Sequence, residues 1–157
     1  MNEQAKTNYG LQRLIKKLAL SIGKSDIIPG SLRTKFIKFA GVNFIDSSDV
    51  FIGENVSFDN IYPHYIYIGK RARITAGTKI LTHYLDVKKP PFSFYTGKVI
   101  IGDNVFIGAN SMIVKECTIG NNVVIAAGSI VNKDIPDNWI VAGVPAKKIG
   151  ERVIINE

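Results

Sequence analysis

One cysteine, two histidines and one tryptophan occur in 157 residues, and these scarcities exclude whole classes of chemistry. Cys117, being alone, forms no internal disulfide, so the fold is not a disulfide scaffold and a reducing compartment suits it. No stretch approaches the roughly 20 consecutive apolar residues of a membrane span. The segment Met1 to Asn8 is polar and carries Glu3, unlike the apolar core of a secretory signal. A soluble, cytoplasmic protein is the expectation. Acids are fewer than bases, 13 against 20, for a net charge of +7, which favours anionic partners. The bases gather between Lys6 and Lys38 and again at Lys133, Lys147, Lys148 and Arg152. Neither group interleaves aromatic residues with bases or matches a nucleic-acid motif, so a phosphorylated small molecule is the expected anion, not nucleic acid.

What is present divides the chain in two. Residues 9–22 place Leu11, Leu14, Ile15, Leu18 and Ile22 at helical spacing with Arg13, Lys16 and Lys17 on other faces, which reads as an amphipathic helix. Pro29-Gly30 breaks the chain after it, and a second basic and apolar stretch, Leu32 to Phe39, is closed by Gly41. From Ile101 onward the period changes to six: Ile101, Ile107, Ile113, Ile119, Ile125 and Val131. No helix produces that spacing, and a fixed short repeat signals a solenoid. Two positions before each later aliphatic lies Val105, Ser111, Cys117, Val123 or Ser129, on the same side of a strand. The cysteine therefore reads as core.

The three residues between strands form corners, and five of the six end in Asn, Gly or Asp, residues that take positive φ at least cost. The register recurs at Ile68, Ile74 and Ile80, with an offset copy at Ile52-Gly53-Glu54-Asn55-Val56. It breaks between Ile52 and Ile68 and between Ile80 and Ile101. The second break, Thr82 to Lys98, carries Pro90-Pro91 and several aromatics, and reads as a loop extruded from the stack, where sites tend to lie.

Across residues 45–149 the chain resembles the hexapeptide-repeat acyltransferases. Ile101-Gly102-Asp103-Asn104-Val105-Phe106-Ile107-Gly108-Ala109-Asn110, Ile125-Ala126-Ala127-Gly128-Ser129, Lys133-Asp134-Ile135-Pro136 and Ala142-Gly143-Val144-Pro145-Ala146 carry the likeness, which is closest to the galactoside, maltose and polysaccharide O-acetyltransferases. The resemblance implies a mainly β fold: a left-handed parallel β-helix over 42–149, with a helical lead-in at 1–41 and a tail at 150–157. The handedness comes from the resemblance alone, since general crossover rules favour the right hand. It also implies a homotrimer with sites between subunits, acetyl-CoA as co-substrate and a saccharide hydroxyl as acceptor, in surface polysaccharide biosynthesis.

The resemblance assigns residues as well. His83, in Thr82-His83-Tyr84-Leu85-Asp86, matches the family's Thr-His-x-x-Asp pattern and is the expected general base. Asp86 is expected either to orient its imidazole or to contact the acceptor. Asp59, Asn60 and Tyr84 are expected at the acceptor, and His64 has no catalytic counterpart. Ala109 and Ala127, eighteen residues apart, occupy one corner of adjacent turns where the pantetheine arm of coenzyme A would lie close to the backbone. Phe106 stands where relatives often carry a tryptophan. Asn132 and Lys133 are expected near the nucleotide end, and Lys147 and Lys148 near its phosphates.

Competing readings are an amino-sugar N-acetyltransferase and a non-catalytic oligomerisation module. A zinc carbonic anhydrase on the same fold needs three histidines, and the chain has two. The amphipathic helix is expected to pack against the end of the coil, in preference to a membrane surface. Trp139 and the Gly143–Ala146 turn are expected to close the other end.

Overall fold

The computed structural model describes residues 10–88 and 90–153. After two helices, α1 (Leu11–Lys24) and α2 (Gly30–Ala40), the chain winds through three parallel sheets, visiting them in turn. The first face contains Asn43–Phe44, Ile66–Ile68, Val99–Ile101 and Cys117–Ile119. The second contains Phe51–Ile52, Arg73–Ile74, Phe106–Ile107, Val124–Ile125 and Trp139–Ala142. The third contains Ser57–Phe58, Lys79–Ile80, Met112–Ile113 and Ile130–Val131. Where the six-residue period is unbroken, each strand pairs with one eighteen residues on: Val99 with Cys117, Phe106 with Val124 and Met112 with Ile130. Three strands therefore make one turn, and identical positions of successive turns stack.

The aliphatic period forms the core. Ile52, Ile74, Ile107 and Ile125 stack behind the second face, Ile80, Ile113 and Val131 behind the third, and Ile68, Ile101 and Ile119 behind the first, all buried. Burying each such side chain contributes about 1.5–3 kcal/mol, so a continuous column stabilises a fold whose strands are two or three residues long. Ser111, Ser129 and Thr78 face inward too, and their hydroxyls donate to the carbonyls of Ala126 (3.1 and 2.6 Å) and Thr75 (2.8 Å). Cys117 is buried in the same register, which pushes its thiol up to about 12 and leaves it a packing residue.

Four of the five corner residues expected at positive φ take it, Asn104, Asn110, Asn122 and Gly128, while Asp134 does not. Asn104, Asn122 and Asn138 have φ near +60° and form a ladder: Asn104 Nδ2 donates to Asn122 Oδ1 at 3.1 Å, and Asn122 Nδ2 to Asn138 Oδ1 at 3.0 Å. Corner glycines serve close stacking as well as turning. A Cβ on Gly102 would lie 2.8 Å from the carbonyl carbon and oxygen of Gly120. Gly102→Ala is therefore expected to destabilise the coil by about 1–3 kcal/mol, read as a fall of several degrees in Tm. An unchanged melting temperature would contradict the stacking argument.

The helices depart from expectation. The first runs Leu11–Lys24, where periodicity placed it at 9–22, and residue 9 lies outside the described residues. Its packing side is Ala19 and Gly23, set against α2, while the apolar stripe of Leu11, Leu14, Ile15 and Leu18 faces outward. The coil is met mainly by α2: buried Arg33 donates from Nη1 to the Ile52 carbonyl at 3.3 Å, and Thr34 Oγ1 to that of Val50 at 3.5 Å. A small-residue face on α1 wins over its larger apolar one because Gly23 lets Ile37 approach closely. At the other end, Lys147–Glu151 folds back antiparallel on Trp139–Ala142 and covers that edge of the second face. Gly150 and Glu151 of the expected tail pair with Ile140 and Trp139 in this strand, and residues 154–157 lie outside the described residues.

Candidate active site

The two breaks in register fall on one edge of the prism. Phe58 pairs with Ile80, so the segment after Phe58 and the segment after Ile80 leave the coil at the same corner of adjacent turns. The first departs as a turn ending in a 3₁₀ helix, Pro63–Tyr65. The second departs as an antiparallel hairpin of His83–Asp86 with Ser93–Thr96, in the register His83 to Thr96 and Asp86 to Ser93. Arg73 and Phe106, which pair across this turn, are thirty-three residues apart, one turn plus the fifteen residues that the hairpin takes up.

Asp59 links the two departures. Its Oδ1 accepts from the backbone N–H of Ile61 (2.8 Å) and Tyr62 (2.9 Å), and Oδ2 accepts from that of Thr82 (2.9 Å). The same Oδ2 lies 2.5 Å from His83 Nδ1. Thr82 Oγ1 donates to the Tyr62 carbonyl at 3.0 Å, a second tie between the segments. The side chain of Asp59 is wholly buried, and that of His83 is 28% exposed. Burial pushes the Asp59 carboxyl up, but the N–H donors of Tyr62, Thr82 and Ile61, together with His83, outweigh it and hold it below its ordinary range. An ionised carboxylate against Nδ1 makes that nitrogen the protonated one and leaves the lone pair on Nε2.

Aromatic rings surround the imidazole. Tyr62 and Phe94 have ring centroids 6.4 and 6.2 Å from that of His83, and Tyr62 stacks on Tyr65 at 5.7 Å. His64 meets Tyr65 edge-on at 4.6 Å. A cleft of about 430 Å³ opens between α1 and the 59–65 segment, lined by Arg13, Lys16, Asn60, Ile61 and His64 among others.

Three expectations need correction. Asp86 does not orient His83: the strand alternates its faces, so residues three apart point oppositely, and the carboxylate at the imidazole is Asp59. Asp86 Oδ1 instead accepts from Lys88 N–H at 3.0 Å. Asp59 does not face an acceptor, because it is buried with both oxygens bonded. Tyr84 is buried, donates its hydroxyl to the Leu81 carbonyl at 2.8 Å and packs on Tyr95. Burial, with Cys117 and Glu116 nearby, raises its phenol above the ordinary range. Tyr62 and Phe94 were missed, since each lies in a segment where counting by sixes stops.

The residues expected around the cofactor separate into two edges. Ala109 and Ala127 share a corner with Ala76, joined by Asn110 N–H to the Ala76 carbonyl (2.9 Å) and Gly128 N–H to that of Ala109 (2.8 Å). Exposed Phe106 lies on the strand leading to that corner, and Lys147 follows the Gly143–Ala146 turn that stacks on it through Ile130. Asn132 and Lys133 lie on the His83 edge, in a groove shared with Lys98 and Lys115. Lys148 pairs with Glu151 at 2.5 Å and lies over the Trp139 ring. One face of the prism separates the alanine edge from His83.

The comparisons agree with this architecture. The family described as "Bacterial transferase hexapeptide (six repeats)" matches residues 98–133. Protein CapG of Staphylococcus aureus is 40% identical over 139 residues, 86% of this chain and 77% of CapG. Of two further curated relatives the chain spans 58% and 20%. A galactoside acetyltransferase solved in complex with coenzyme A is 26% identical, with a TM-score of 0.63 over 96% of this chain and 84% of that one. AntD, an N-acyltransferase from Bacillus cereus solved with dTDP and 3-hydroxybutyryl-CoA, is 28% identical, with a TM-score of 0.61 over 68% of this chain and 61% of its own. A coil that closes every eighteen residues, and a sequence shared with CapG along most of both lengths, have one common explanation: the chain belongs to the hexapeptide-repeat acyltransferase family.

Proposed function

We propose that this protein transfers an acetyl group from acetyl-CoA to a saccharide hydroxyl, with His83 as general base. The contact that carries the reading is Asp59 Oδ2 to His83 Nδ1. With Nδ1 donating to Asp59, Nε2 accepts the hydroxyl proton as the oxygen attacks the thioester carbonyl. The tetrahedral intermediate then collapses, the C–S bond breaks, and the imidazolium returns the proton to the leaving sulfur. Asp59 is the positioning residue: it holds the tautomer and stabilises the imidazolium that forms. Phe94 and Tyr62 supply apolar ring faces for a pyranose, and Asn60 a polar group beside them.

The placement of the alanine edge away from His83 supports a site completed by a second copy, in a trimer of left-handed coils. The pantetheine arm would run along Ala109 and Ala127 of one subunit toward His83 of its neighbour. Lys147 on the first edge and Lys133 on the second offer cations to the nucleotide phosphates. Likeness to the galactoside acetyltransferase extends over 96% of this chain, against 68% for AntD, which favours a hydroxyl acceptor over an amine. Release of coenzyme A thiol from acetyl-CoA across a panel of sugars and amino sugars tests this, with product mass identifying the acetylated atom. No release with any acceptor, together with no acetyl-CoA binding by calorimetry, would make the coil an oligomerisation module. Phe94→Ala is expected to raise KM for the acceptor roughly three- to tenfold, the size of an aromatic contact, with kcat little changed. An unaltered KM would remove Phe94 from the acceptor site.

A further inference from the structure

The outward face of the helical lead-in disagrees with what an apolar stripe normally does. Leu11, Leu14 and Leu18 are 73%, 64% and 59% exposed, although they form the most regular apolar spacing in α1. At 100° per residue they centre roughly a third of a turn away from Ala19 and Gly23, which meet α2. Phe39 of α2, 61% exposed, extends the apolar surface across a groove that Ile22, Leu32 and Phe36 also line.

The charge around this surface is of one sign. Between Leu11 and Ala40 the chain has seven basic residues and one acid, Asp26, and neither helix contains an acid. Arg33 is buried and paired with Glu54, Arg13 and Lys16 line the cleft toward the 59–65 segment, Lys35 lines the apolar groove, and Lys17 lies about a quarter-turn from the leucines. Most of the net charge of +7 is therefore concentrated here. A second copy laid on this face would bring the same cations against one another. An anionic bilayer matches both properties, with the leucines entering the acyl boundary and the lysines meeting headgroup phosphates.

We propose that the outward face of α1 and α2 docks on an anionic membrane surface. The inference is independent of the acetyl-transfer reading and fails separately from it. The full-length protein is floated with vesicles of phosphatidylcholine alone and of phosphatidylcholine with phosphatidylglycerol, at low and high salt. Flotation is expected with the anionic vesicles only, and salt weakens it. The pair Leu18→Gln and Phe39→Gln is expected to lower partitioning by at least roughly tenfold, and Lys17→Gln and Lys38→Gln roughly fivefold each. Both sets lie outside the proposed active site, so melting temperature and thiol release should stay at wild-type values. Absence of flotation with either vesicle, or flotation indifferent to these substitutions, would overturn the proposal. Loss of self-association in the Leu18→Gln, Phe39→Gln variant, with no flotation of the wild type, would assign the face to a second copy and overturn it as well.

Discussion

Replacing His83 with alanine is expected to slow acetyl transfer by roughly 10²- to 10⁴-fold, the contribution of a positioned general base, while acetyl-CoA binding persists. A saccharide hydroxyl is a weak nucleophile until its proton is drawn away, and the imidazole is the group placed to take it. The substitution should leave the fold intact. The side chain is partly exposed, and in its absence Asp59 Oδ2 still accepts from Thr82 N–H. Steady-state thiol release reports the chemical loss, and calorimetry with acetyl-CoA separates it from a loss of binding. A variant that transfers acetyl at near the wild-type rate would remove His83 from the mechanism.

Asp59→Asn is expected to be nearly as damaging, for a different reason. If the amide oxygen keeps the Ile61 and Tyr62 N–H groups, its NH₂ faces Thr82 N–H and His83 Nδ1 in the place of Oδ2. Donor then meets donor at Thr82, and Nδ1 must become the acceptor, which moves the ring proton to Nε2, where a base needs its lone pair. A carboxylate-to-amide change that traps the wrong tautomer in the serine-protease triad costs about 10⁴-fold in kcat. Unlike His83→Ala, this variant should also lose about 1–3 kcal/mol of stability, because a buried donor is left unpaired.

The same residue sets an acid dependence. Folded, the Asp59 carboxyl binds its proton less readily than it does unfolded. Its contribution to stability is therefore complete above the unfolded value near 4 and is lost as pH falls from there through the lower folded value. Melting temperature across that range should fall less steeply in the Asn variant than in the wild type. Parallel slopes would show that Asp59 is not held low by its donors.

The part of the fold that repeats was legible in residue spacing. Ile101 to Val131 at intervals of six named buried positions, and Asn104, Asn110 and Asn122 marked corners that adopt positive φ. Counting could not carry across the breaks. Only the pairing of Phe58 with Ile80 shows that 59–65 and 82–98 leave the coil at one edge, and the number of residues each segment loops out has no period to reveal it. The pairing of Asp59 with His83 lay hidden for that reason, although Asp59 follows inward Phe58 directly and His83 stands three residues past inward Ile80. The motif spacing of Asp86 does not bring it to the His83 ring, because a strand sends residues three apart to opposite faces. In α1 the packing face is not the largest apolar stripe, because the close approach of Ile37 at Gly23 decides it.

A double-mutant cycle on acetyl transfer tests the pair most directly, comparing the wild type, His83→Ala, Asp59→Asn and the combination. If Asp59 acts through His83, the combined variant is no slower than His83→Ala alone, a strongly non-additive result. Losses that multiply in the combined variant, so that Asp59→Asn slows an enzyme already lacking His83 by its full factor, would contradict a His83–Asp59 unit.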